Sequence, residues 1–358
     1  MIFRASSMPR TVGCPGSKLL QRSYPNTSGD EANEGTVAHG IGAVVLEGRS
    51  SPADWLGKSI DNVYVDQEML HHVQLYVDAC GIGTGFVEKS VSEDFHGNTL
   101  RGTPDYWRTH GTVLEVKDFK YGFGWVEVYE NWQLLTYAAL IYFKLPNPEL
   151  IEIIELTVIQ PRANHPDGPV RKWSFPAELI RNYRNQLINA MGDASLADPP
   201  TLTGAHCRYC RALVECHSAI AAAGYTLEYA NTAGRTETTP ESFSMEMETV
   251  DRAVKMLTQR KVALEEVGKN MIQLGVVLNG WERRSVSGSL AWDVDAIAVG
   301  EAMGADLSQP LKPITPTQAI ARKLMSEDTV KAMSSRKPGG VQLVRVNHER
   351  DKRILTGE

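Results

Sequence analysis

Four cysteines limit how this chain can close on itself. Cys14 stands near the start, while Cys207, Cys210 and Cys216 lie far downstream with C-x2-C-x5-C spacing. A two-residue gap lets two thiolates meet on one side of a soft metal centre. With Cys14 as the fourth ligand, such a centre staples together the two ends of a domain. Polar Arg208, Arg211 and Glu215 surround the triplet, which speaks against cysteines buried there without a partner. Zinc accepts the same thiolates as an iron–sulfur cluster does, and at a zinc site His206 or His217 could replace one of them. The fifth cysteine, Cys80, reads as a small buried hydrophobe.

The whole chain is sized for one large domain and a smaller one, with 358 residues and an apolar share of 42%. The formal net charge of -6 excludes a globally basic DNA coat. It leaves open a basic groove on an acidic body. No run of apolar residues is long enough for a membrane helix, so no membrane partner is expected. The opening Met1-Ile2-Phe3-Arg4-Ala5-Ser6-Ser7 lacks the apolar centre of a signal peptide. The expectation is a cytoplasmic protein without disulfides.

Between the cysteines the pattern is α/β. Ser6–Arg22 reads as helix or turn, followed by a polar loop from Tyr24 to Asp30. Helices are expected over Asp30–Glu47 and Val65–Ala79. Extended runs follow at Phe86–Phe95, Thr99–Thr109 and Thr112–Phe119, with His110-Gly111 as a hairpin turn. Glu130–Phe143 has helical periodicity, Ile151–Gln160 and Val170–Phe175 read as strands, and Pro176 opens a helix to about Met191. This order predicts a mixed central sheet flanked by helices. Thr- and Glu-rich residues 228–242 read as a linker between a domain over 1–227 and a mainly helical region over 243–358. Within that region Met245–Leu274 forms one long helix.

Chemistry concentrates on the middle strands. Gly102-Thr103-Pro104-Asp105 places an acid on one strand, and Asp118-Phe119-Lys120 ends the next. Alternate strand residues share a face, so Asp118 and Lys120 project together. Hard Mg²⁺ or Mn²⁺ prefers carboxylate oxygens, which Asp105 and Asp118 supply, with an ammonium alongside to offset developing negative charge. Gln133 and Tyr137 lie four apart on the following helix and share its face. Glu115-Val116-Lys117 satisfies the same acid-x-Lys pattern one register over. Asp118 and Lys120 are preferred because they share parity with apolar Leu114 and Val116 and precede Gly122 and Gly124. Glu115 and Lys117 are then expected to form a solvated pair.

His39, Asp105, Asp118-Phe119-Lys120, Gln133-x-x-x-Tyr137 and the split cysteine set resemble the PD-(D/E)XK nuclease superfamily. Within it they are most similar to the RecB-like and CRISPR-adaptation-type exonucleases that carry an iron–sulfur cluster. The resemblance spans Ser6 to Ala222. Arg10-x-x-x-Cys14-Pro15-Gly16-Ser17 and Asp118-Phe119-Lys120-Tyr121-Gly122 look most like a phage- and prophage-borne branch. The resemblance implies a restriction-endonuclease-like fold and a metal-dependent DNA exonuclease acting in phage recombination or replication. Its substrate would be single-stranded or resected ends. It also implies that His39, Asp105, Asp118 and the main-chain carbonyl of Phe119 bind Mg²⁺ or Mn²⁺. Lys120 would position water, and Gln133 and Tyr137 would line the substrate path. Cys14, Cys207, Cys210 and Cys216 would hold a structural [4Fe–4S] cluster. Two rivals remain at this stage. One is a catalytically silent DNA-binding module of the same fold that partners a recombination protein; the other is a structural or assembly protein. A homo-oligomer is left open.

Overall fold

The computed structural model describes residues 1–24, 30–163, 165–230 and 239–285, and beyond these 290–292, 299–300, 302–305, 315–321, 323–336 and 341–345. The chain divides into two compact units, Met1–Ala222 and Ala223–Glu358.

In the first unit, β1 (Ile2–Arg4) leads into a short helix, α1 (Met8–Gly13). Helices α2 (Asp30–Leu46) and α3 (Gln67–Cys80) follow, the latter capped by Asp66, whose side chain accepts from the Met69 N–H. Strands β2 (Phe86–Val87), β3 (Val91–Phe95), β4 (Asn98–Gly102), β5 (Tyr106–His110) and β6 (Val113–Phe119) come next. Then come α4 (Trp132–Tyr142), β7 (Ile153–Ile159), β8 (Val170–Pro176) and α5 (Ile180–Asp193). The main sheet has the order β8-β7-β6-β5-β2, parallel only between β6 and β7; a smaller sheet has the order β1-β4-β3.

A mixed sheet flanked by helices is therefore present. Two of the expected strands, however, are each two strands in different sheets. The run from Phe86 to Phe95 breaks at Glu88, whose φ is 46°. The run from Thr99 to Thr109 breaks at Thr103-Pro104-Asp105. Pro104 has no N–H for a ladder, so β4 ends in the small sheet and β5 begins in the large one. Asp105 thus lies just ahead of β5 rather than within a strand. Pro176 likewise closes β8 instead of opening a helix; a 3₁₀ turn, Ala177–Leu179, separates it from α5. Ser6–Arg22 resolves into several short helical turns.

Helices cover both faces of the main sheet. Leu114 and Val116 of β6 pack with Leu134, Leu135 and Ala138 of α4 in one core. Tyr106 and Phe119 pack with Ile41 and Val45 of α2 and Val73, Tyr76 and Val77 of α3 in the other. A strand covered on both sides buries every side chain. Glu115 and Lys117, expected in solvent, are only 8% and 2% exposed. Lys117 Nζ donates to the Ala79 carbonyl at 2.6 Å and lies 2.8 Å from Glu115, which also takes Arg108 at 2.9 Å.

Burial opposes charge on Glu115, but the Arg108 and Lys117 hydrogen bonds outweigh it and hold its pKa below the ordinary carboxylate value. A carboxylate depressed in the folded state adds stability above its unfolded pKa and loses it as pH falls through the folded value. Glu115→Gln, which strands Lys117, is expected to cost about 3 kcal/mol at pH 7. The loss should shrink below about pH 4. Urea melts at the two pH values check this.

Among its described residues the second unit is dominated by helix, with short strands beside it. Its long helix, Pro240–Gln273, begins five residues earlier than Met245. Thr239 caps it through the Ser242 N–H. Antiparallel ladders pair Trp281–Ser285 with Val341–Arg345, and Leu290–Trp292 with Ser334–Arg336. Of the expected linker, residues 231–238 lie outside the described residues, as do 25–29 of the early polar loop. Residues 228–230 end the helix His217–Ala230, which contains the division between the units.

Candidate active site

The site forms where β5 and β6 part. Their antiparallel pairing ends at Tyr106 opposite Lys117, while β6 runs on beside β7 to Phe119 opposite Ile159. The Asp105 carboxylate fills the gap: its Oδ2 accepts the Phe119 N–H at 2.6 Å. Its Oδ1 lies 3.4 Å from His39 Nδ1, reaching across from the middle of α2. The Phe119 ring packs under His39 and stacks on Tyr76, centroids 5.2 and 4.7 Å apart. Phe119 thus ties Asp105 down through its own N–H.

On the α4 side, Asp118 is 2% exposed and meets two polar side chains, Gln133 and Lys120. Asn131 caps α4 by accepting from the Gln133 and Leu134 N–H groups, which fixes Gln133 in the first turn. Gln133 Nε2 then donates to Asp118 Oδ1 at 3.1 Å and to Tyr137 OH at 3.0 Å. Lys120 Nζ donates to Gln133 Oε1 at 3.0 Å and lies 2.8 Å from Asp118 Oδ2. Asp118 Oδ2 is buried and has no well-aligned donor; Lys120 meets it as a charge.

Burial, and then the charge of Asp105, push the Asp118 carboxyl above its ordinary pKa despite Lys120. Burial would lower Lys120, yet the charges of Asp118 and Asp105 win and raise it. His39 is likewise raised against its burial, by Asp105.

Glu88 joins the group without having been anticipated. His39, Glu88 and Asp105 each offer an atom within 4.8 Å of one another, and burial plus the Asp105 charge raise Glu88 to about 7. No motif marks it. The sole sequence hint is its place in Glu88-Lys89-Ser90, a polar interruption of an extended run. Its left-handed backbone turns β2 out of one sheet and β3 into the other.

All the predicted site residues around the two aspartates therefore fall into one neighbourhood. An oxygen-rich set with one imidazole and an undersatisfied buried carboxylate oxygen fits a hard divalent cation.

Tyr137 depends on Gly102. A Cβ there would stand 2.5 Å from the Tyr137 ring and 2.8 Å from the Ala5 Cβ. Gly102→Ala is expected to push Tyr137 off Gln133 and cost about 1–3 kcal/mol. A fall in the melting midpoint, together with reduced activity, checks this.

The cysteines form a second cluster. Cys14 ends α1, and its sulfur accepts the Leu202 N–H at 3.4 Å. A Cβ on Gly13 would strike His206 at 2.4 Å, so the two chain segments touch closely. Hydrogen bonding to Cys14 and Cys207 raises His206 to about 10; the same contacts outweigh burial and lower both thiols. Burial raises Cys210, with Arg10, Cys207 and Cys14 in its field. Cys216 is buried just before His217–Ala230, and all five cysteines are free thiols. Among the described residues, no three of the four sulfurs lie within 4.8 Å of one another. Cys80 stands apart, 2% exposed and pushed by burial to about 12, as expected of a hydrophobe.

A family described as "Protein of unknown function (DUF2800)" matches residues 2–351. The chain belongs to the DUF2800 family. Among solved structures, the protein SSO0001 aligns with 61% of this DUF2800 chain and 86% of its own, at 14% identity and a TM-score of 0.33. A likeness that slight carries no argument about fold or activity. Among the described residues of this DUF2800 protein, no helix is long and apolar enough to cross a membrane.

Proposed function

We propose that this chain is a metal-dependent deoxyribonuclease of the PD-(D/E)XK type, acting on single-stranded or resected DNA ends. The observation that carries the reading is the buried Asp118 carboxylate, held by Gln133 and Lys120. On the other side of the strand fork stand Asp105, His39 and Glu88. Two buried acids sharing one ammonium at a strand fork leave a surplus of negative charge, which a purely structural role does not explain as well as a bound cation does.

His39, Asp105, Asp118 and the Phe119 carbonyl are the proposed ligands, with Glu88 added by position. A hard divalent cation, when bound, polarises a phosphodiester and activates water for attack. Lys120 keeps its proton and serves as a donor to an oxygen that gains charge in the transition state. Gln133 sets the separation of Lys120 from Asp118 by bonding both. Tyr137 holds the Gln133 amide and presents its ring toward a cleft lined by Arg4, Arg101 and Thr103. The test is degradation of end-labelled single- and double-stranded oligonucleotides with Mg²⁺ or Mn²⁺. Binding without cleavage in any divalent metal would instead favour the silent DNA-binding module.

Cys14, Cys207, Cys210 and Cys216 are proposed to hold a [4Fe–4S] cluster. Zinc would accept the same thiolates, and the iron assignment rests on the likeness of the distant fourth cysteine and the C-x2-C-x5-C spacing to the cluster-bearing nucleases. The role is structural: the cluster joins the start of the unit to residues near its end. Visible absorbance with iron and zinc analysis decides it; a colourless protein with stoichiometric zinc sinks the iron assignment.

A further inference from the structure

Six cations of the first unit gather in two recesses that meet at Arg4. One, of about 600 Å³, contains Arg4 and Arg101 and reaches Tyr137. The other, of about 290 Å³, contains Arg4, Arg10, Lys18, Arg22 and Arg211. Neither is lined by a single carboxylate. In a chain of net charge -6 this concentration is local.

Among the described residues none of the six forms an ion pair. Arg10 spends its donors on the Gln21 side chain and the His206 carbonyl, and Lys18 donates to the Ile2 carbonyl. Arg22 reaches the Met1 sulfur. Arg4 and Arg101 are partners across the parallel β1–β4 pair, where like charges repel. Burial and the charges of Arg22 and Arg4 depress Lys18, as expected of a field that nothing compensates. Repulsion of this kind is tolerated where a polyanion supplies the missing charge.

We infer that these recesses hold the sugar–phosphate backbone of a single DNA strand and lead it past Tyr137 toward Asp118. A single strand bends into recesses, whereas a duplex is stiff over about 50 nm and stays outside them. The destination rests on the nuclease reading; the binding does not.

The experiment is fluorescence anisotropy of a 5′-labelled 20-nucleotide oligothymidylate with full-length protein in EDTA, where no cleavage occurs, across a salt series. Arg4→Gln/Arg22→Gln is expected to bind at least tenfold more weakly. Its log–log salt slope should fall by about 1.4, at roughly 0.7 for each phosphate of a single strand that is no longer neutralised. Arg22→Gln/Arg101→Gln should behave alike, and serves if the first pair does not fold. Lys255→Gln, on the exposed long helix, should bind as wild type. Unchanged affinity and slope in a pair that melts normally overturn the inference. So does a wild-type protein that ignores the oligonucleotide or prefers the duplex. Loss of the nuclease reading appears separately, as absent cleavage with binding and its charge dependence intact.

Discussion

Asp118→Asn is expected to keep its fold and to lose Mg²⁺- or Mn²⁺-dependent DNA degradation by about 10²–10³-fold or more. Asparagine preserves the shape of the group and can still meet Gln133, so the α4 contact survives. It removes a charge whose carboxyl is 2% exposed. Lys120 does not become a stranded charge, because its side chain is 26% exposed and can turn to water. Lys120→Ala should abolish activity too, by a different route: it leaves the Asp118 carboxylate buried without its counter-charge, and the acid then holds its proton more firmly. Rates on end-labelled DNA, with circular dichroism to confirm folding, separate the two effects. Wild-type rates in both variants would overturn the site assignment.

Cys207→Ser is expected to remove the iron and the visible absorbance and to lower the melting midpoint of the first unit by about 10–20 °C. The size follows from treating the cluster as a cross-link between Cys14 and Cys207. Closing a loop of about 190 residues is worth about 5 kcal/mol. A unit of this size shifts by about 2–4 °C per kcal/mol. His206 would remain beside Cys14, and the Leu202 N–H would keep its sulfur acceptor, so local packing alone should not unravel. A midpoint unchanged within about 2 °C, in a protein purified with full iron, would exclude the staple.

Much of the first unit was legible in order and type. The helices Asp30–Leu46, Gln67–Cys80 and Trp132–Tyr142 lie within two residues of their expected bounds, because apolar spacing and caps mark them. Strand identity within a sheet was not legible. The extended pattern runs on through Glu88 and Thr103-Pro104-Asp105, and nothing in a period of two says that the next strand joins another sheet. Glu88 was missed for the same reason, since its importance comes from where the turn delivers it. Glu115 and Lys117 were misplaced in solvent because parity assigns a face but not what covers that face. Here α3 covers it, and the Ala79 carbonyl is waiting for the ammonium.

Local chemistry is carried by residue type and short spacing, and these belong to the chain alone: Asp118 beside Lys120 on one face, Gln133 four before Tyr137, thiolates in close succession. Convergence across distance is another matter. That Asp105 fills the fork between two strands, that His39 crosses from a helix on the far face, and that arginines from both ends of the unit share a recess are results of packing. Burial then sets the electrostatics of those groups, because the same carboxylate is ordinary in water and costly in a dry interior.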